Sequence, residues 1–166
     1  NKKDLSERDI CTKFITPAIV KSGWDRNSQI REEVSFTAGK VIVRGKLVSR
    51  GKQKRADYIL YYKNNIPIAV VEAKDNKHSV GAGMQQAIDY AEALDVPFVF
   101  TSNGDAFLFH NRAINLGKKE TELSLDNFPS PKELWDKYKQ YRGLEEQEVE
   151  QVYTQSYHKD VDGKEP

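Results

Sequence analysis

Apolar residues recur along this chain with two periods, one helical and one extended. Ile10, Phe14, Ala18 and Ile19, with Cys11 and Ile15 beside them, form a helical stripe. Ser6 stands where an N-cap belongs, and Glu7 and Asp9 put acids in the first turn. Pro17 is expected to bend this helix and Ser22-Gly23 to end it. Ile30–Phe36 and Lys40–Val43 read as strands around Ala38-Gly39. Gly45–Arg55 reads as a loop carrying Lys46, Arg50, Lys52, Lys54 and Arg55. Two apolar runs follow, Tyr58–Tyr62 and Ile66–Val71, joined by Lys63-Asn64-Asn65. The second run is apolar on both faces, as strands inside a sheet are. Ser79–Leu94 predicts a helix with Val80, Met84, Ala87, Ile88, Ala91 and Leu94 inward. Phe98–Thr101 predicts a short buried strand, Ser102-Asn103-Gly104-Asp105 a turn and Ala106–His110 another strand. Pro131–Tyr141 predicts a helix with Leu134, Trp135 and Tyr138 on its apolar face. Antiparallel strands, then a helix and a strand, imply a mixed central α/β sheet flanked by helices. Leu144–Tyr157 is acidic with a weak core face, so residues 144–166 read as a linker or docking segment after a domain spanning 1–143.

Composition narrows the picture. A chain of 166 residues suffices for one domain with a real core. Charged residues make up 31% but the net charge is only +1, so any nucleic-acid contact must come from local patches. The single cysteine, Cys11, has no internal disulfide partner and sits among apolar residues, as a buried structural thiol does. Three scattered histidines and one cysteine exclude a classical zinc cluster. No signal peptide or long apolar span appears in the sequence, which points to a cytoplasmic protein and away from membranes. The chain opens at Asn1 without Met and closes in a polar stretch, so it is expected to be part of something larger.

The candidate chemistry lies on the two apolar runs. Asp57 opens the first, and Glu72-Ala73-Lys74 closes the second. Centring a hairpin on Asn64-Asn65, whose residues tolerate the positive φ of such turns, sets Asp57 directly opposite Glu72, with Cβ atoms roughly 5 Å apart. Alternation then puts Glu72 and Lys74 on one face and Ala73 on the other. Facing carboxylates repel unless something neutralises them, and a hard cation such as Mg²⁺ prefers their oxygens. Lys74 would stand beside the cation, placed to orient or deprotonate a water or to hold a phosphate oxygen. The competing reading is two surface acids salt-bridged to a lysine. The apolar strand leading into Glu72, and the position of the charges at its end, favour the metal site. The same register sets Arg55 opposite Lys74.

On the following helix Gln86 and Tyr90 stand four residues apart on one side. The segments carrying these residues are Arg55-Ala56-Asp57-Tyr58, Ile68–Lys74, Gln85-Gln86-Ala87 through Tyr90-Ala91-Glu92, and Thr101-Ser102-Asn103-Gly104. In this order the chain resembles the PD-(D/E)xK nuclease superfamily in its Q-x-x-x-Y subgroup. It is more closely similar to the N-terminal nuclease region of the R subunit of type I restriction enzymes. Ser6-Glu7-Arg8-Asp9 and Gly23-Trp24 also look like that family's opening. The resemblance covers roughly residues 5–112 and implies a restriction-endonuclease-like fold. It further implies that Asp57 and Glu72 bind Mg²⁺ (Mn²⁺ substituting), with the Ala73 carbonyl as an added ligand and Lys74 as the catalytic lysine. Gln86 and Tyr90 match the supporting pair, and Glu7 matches the first-helix acid that completes the site in many members. Ala56 stands in place of the superfamily's proline, which is not a ligand.

In the resembled family this region precedes an ATP-driven motor and works with modification and specificity subunits on double-stranded DNA. The present sequence has no G-x-x-x-x-G-K-[ST] loop, so ATP belongs to the motor region alone. Lys52, Lys54 and Arg55 are candidates for backbone-phosphate contacts, against the alternative of a solvated loop. Three readings stay open. The chain is the endonuclease domain of such an R subunit, another nuclease of the superfamily (RecB-like or resolvase-like), or a DNA-binding or assembly module that kept the fold without catalysis.

Overall fold

The computed structural model describes residues 1–37, 40–41, 53–114 and 117–143. Residues 144–166, Lys46, Arg50 and Lys52 therefore lie outside the described residues. The described residues build a seven-stranded mixed α/β sheet in the order β2-β1-β3-β4-β5-β6-β7. The strands are β1 (Ile30–Thr37), β2 (Lys40–Val41), β3 (Lys54–Lys63), β4 (Ile66–Ala73), β5 (Phe98–Ser102), β6 (Ala106–Asn111) and β7 (Glu120–Ser124). All neighbours run antiparallel except β4 and β5, which are parallel. A parallel pair needs a crossover, and the segment containing helix α3 (Met84–Leu94) supplies it.

The first helix matches the sequence stripe but changes pitch midway. Ser6 Oγ accepts the Asp9 N–H at 3.0 Å and caps α1 (Glu7–Ile10). A π-helical turn, Cys11–Ile15, then leads into α2 (Thr16–Lys21), which carries Pro17 in its first turn. Proline has no N–H to donate, and the wider turn before it absorbs the break. Gly23, at φ 115°, ends the segment.

Two cores lie on opposite faces of the sheet. One packs Ile10, Ile15, Ile19 and Trp24 against Tyr58, Leu60, Val71, Phe100 and Phe107, closed by Leu134. Leu134 comes from the helix over residues 131–143. The other packs Met84, Ala87 and Ala91 of α3 against Phe36, Ile59, Val70 and Val99.

The predicted hairpin forms, with Lys63 pairing Ile66 across Asn64-Asn65. Neither Asn adopts a positive φ, contrary to expectation; outside glycine, Glu33 and Asp95 are the described residues that do. The register instead shifts twice, around Tyr61 and its partner Pro67. Pro67 has no N–H for the ladder, and a paired irregularity relieves both the missing donor and the turn's twist. Beyond it Leu60, Ile59 and Tyr58 face Ala69, Val70 and Val71, which is the anticipated register. Three expectations are revised: β3 begins at Lys54, inside the supposed loop; α3 begins at Met84 rather than Ser79; and β7 is an additional strand. Gly83, at φ 84°, stands at the N-cap of α3, and the turn before it starts the helix late. Among the described residues no helix is long and apolar enough to cross a membrane.

Candidate active site

Asp57 and Glu72 meet where β3 and β4 part. The backbone ladder ends at Tyr58 and Val71, and side chains take over from it. The Asp57 N–H donates to Glu72 Oε2 at 2.8 Å, and the Ala73 N–H donates to Asp57 Oδ2 at 2.8 Å. Each carboxylate thus grips the backbone beside the other. Glu72 is only 6% exposed and lies on the α3 face of the sheet, next along from Val70. Burial, then the neighbouring Asp57 charge, pushes its carboxyl up to about 9. Two acids placed together, one deeply buried, form a set of hard oxygen donors whose mutual repulsion a divalent cation relieves.

Lys74 continues the strand. Its N–H donates to Ser102 O at 3.0 Å, one step past the Ala73–Ser102 pair. Its side chain runs over Gly83, where a Cβ would come 3.0 Å from Lys74 Cε. A network from β5 fixes the loop after Lys74. Thr101 Oγ1 donates to Val80 O at 2.8 Å, Asn103 Nδ2 to His78 O at 2.7 Å, and Asn76 Nδ2 to Asn103 O at 2.8 Å. The Thr101–Gly104 segment thereby holds the lysine and α3 in mutual register. His78 also pairs with Asp75 through Nδ1 at 2.9 Å.

The remaining candidates fall into three groups. Gln86 Nε2 donates to Tyr90 OH at 2.9 Å, and Tyr90 packs edge-on against Phe36. The Tyr90 hydroxyl is pushed above its usual range by burial and by the charges of Glu72 and Asp57. Glu7 lies at the surface with its carboxyl partly covered, and this partial desolvation, then Asp57, raises it, with Lys74 opposing. It is therefore within electrostatic reach of the pair, yet among the described residues no three His, Cys, Asp or Glu side chains gather as a metal-holding group. Arg55 departs from expectation: its strand partner is Ser35 of β1, and its guanidinium is ion-paired with Glu33. The β3–β4 ladder has already ended, so the pairing with Lys74 does not form. Lys54 is half-buried at the start of β3. Cys11 is buried, as read, and burial pushes its thiol up to about 11.

A family model for the N terminus of type I restriction enzyme R proteins matches residues 27–129, the span holding the acids, Lys74 and the Gln86-Tyr90 pair. The chain belongs to this family. This R-protein N-terminal region is 50% identical over 167 aligned positions to the endonuclease subunit of the type I restriction enzyme EcoAI from Escherichia coli. The alignment takes in 100% of this chain and 20% of that subunit. A solved fragment assigned to the HsdR subunit of a type I restriction enzyme from Vibrio vulnificus YJ016 superposes with a TM-score of 0.68 at 43% identity. That match covers 84% of this chain and 26% of the other. The chain thus spans about a fifth to a quarter of the relatives it matches.

Proposed function

We propose that this R-protein N-terminal region is a Mg²⁺-dependent endonuclease domain of the restriction-endonuclease-like PD-(D/E)xK fold. Its reaction is hydrolysis of DNA phosphodiesters within an R subunit that works with modification and specificity subunits. The single observation carrying this reading is the reciprocal Asp57–Glu72 arrangement with Lys74 next along the same strand. Asp57 and Glu72 would hold the cation, with the Ala73 carbonyl beside them and Glu7 drawn in as an added acid. When bound, the cation supplies charge neutralisation at the phosphate and acidifies water.

The protein's own groups do the rest. Lys74, steered by Gly83, orients the attacking water and takes or shares its proton, or balances charge on a phosphate oxygen. Gln86 and Tyr90 form one hydrogen-bonded unit on the α3 wall and hold the strand being cut. Lys54 and Lys52 contribute backbone-phosphate affinity that weakens with salt. Arg55 is engaged with Glu33 and contributes to the architecture of the site.

Calorimetric titration of the chain with Mn²⁺ tests the metal assignment. Wild type should show binding that Glu72→Ala weakens at least tenfold. Equal heats in the two proteins would leave Asp57 and Glu72 without a metal role.

A further inference from the structure

The strand on the other side of Asp57 carries an irregularity at the same level. In β1, Ile30 faces the core under the first helix, while Val34 and Phe36 face the core under α3. In β3, Tyr58 and Leu60 face the first-helix core, while Ala56 faces the α3 core. Residues two apart on a strand share a face, so both strands turn over at one level. The pairing runs Glu32 with Tyr58 and Val34 with Ala56, and skips Glu33 and Asp57 between them. Glu33 has φ 52°, a left-handed conformation that a long side chain rarely adopts. Its carboxylate is clasped from both sides, by Arg8 at 2.8 Å and Arg55 at 2.5 Å.

The consequence falls on Asp57. A side chain in a regular strand stands perpendicular to the sheet, out of line with a neighbour's backbone N–H. Asp57 sits where β3 rolls over, and its Oδ2 reaches the Ala73 N–H in the adjacent strand. Arg8 follows Glu7 in the first turn of α1 and also binds Glu32 at 3.1 Å, so the clasp ties that turn to the same level of β1.

We propose that Glu33 is a positioning residue: its left-handed backbone rolls β1 and β3 over together and thereby aims Asp57 at the Glu72 strand, while the exposed ion pairs with Arg8 and Arg55 only steady its side chain. The role rests on the nuclease reading for its purpose but not for its geometry.

Amide hydrogen exchange of the chain, followed by NMR, separates the two. In Glu33→Val a β-branched residue holds φ 52° only under strain, whereas Glu33→Gly adopts it freely. In Glu33→Val the Ala73 and Asp57 amides should exchange at least tenfold faster, while Val70 and Val99 keep their protection. In Glu33→Gly both amides should stay within about threefold of wild type. Unchanged Ala73 protection in Glu33→Val, or equal loss in both variants, would overturn the proposal. The Mn²⁺ titration, run on the same samples, should show weaker binding in Glu33→Val than in Glu33→Gly. Absence of Mn²⁺ binding in wild type would count against the metal reading alone, because the exchange data decide the positioning role without it.

Discussion

Glu72 is the residue at which fold and site pull against each other. Its carboxyl rises from an ordinary 4.5 to about 9 because it is buried beside Asp57. A group with a higher pKa folded than unfolded holds more protons in the folded state between the two values. Its favourable contribution is complete below about pH 4.5 and is lost as pH climbs through about 9. The metal-free chain should therefore lose stability over that window. Glu72→Gln, which keeps an acceptor for the Asp57 N–H but cannot ionise, should flatten the profile and gain about 1–3 kcal/mol at alkaline pH. Urea denaturation of both proteins across the window measures this, and parallel profiles would refute it. Lys74 makes a different prediction. Lys74→Ala should leave Mn²⁺ affinity nearly intact yet lower cleavage by the assembled enzyme roughly 100-fold or more, as loss of a proton-handling group does. Loss of metal binding in that variant would place Lys74 in the wrong role.

Elements bring these residues together through their ends. The β3–β4 hairpin delivers the acids, β5 anchors Lys74, and the glycine turn before α3 leaves room for the lysine stem. Gly83→Ala adds a Cβ against Lys74 Cε at a positive-φ position. It should cost about 1 kcal/mol or more in stability and lower cleavage roughly 10- to 100-fold by displacing the lysine. Thermal melts and cleavage assays check the two parts. At the start of the first helix, Ser6→Ala removes the cap bond to Asp9 and should cost about 1 kcal/mol, readable by denaturation. The hairpin register was legible because apolar runs on both sides of Asn64-Asn65 fixed it. β7 was not, because Glu120–Ser124 alternates weakly, with Leu123 as its one apolar residue. The late start of α3 was signalled by Gly81 and Gly83, but the apolar stripe from Val80 masked the signal. The left-handed Glu33 and the diversion of Arg55 to it left no trace in sequence, since both depend on how β1 packs beside β3.

Across the whole molecule, the sheet carries a core on each face, and the candidate site lies where its central strands β3 and β4 separate. The first helix reaches this end with Glu7 and Arg8, and α3 reaches it with Gln86 and Tyr90. Every part of this convergence lies within the described residues, and the family match covers the acids, the lysine and the Gln-Tyr pair together. The chain spans a fifth of the length of the EcoAI subunit it is similar to, so the proposed chemistry is best tested in a full-length R subunit. The most direct test is DNA cleavage in Mg²⁺ by the full-length R subunit assembled with its partner subunits, wild type against Asp57→Ala. The variant should assemble and bind DNA as wild type does but cut at least about 100-fold more slowly. Cutting at the wild-type rate by Asp57→Ala would contradict the role proposed for Asp57.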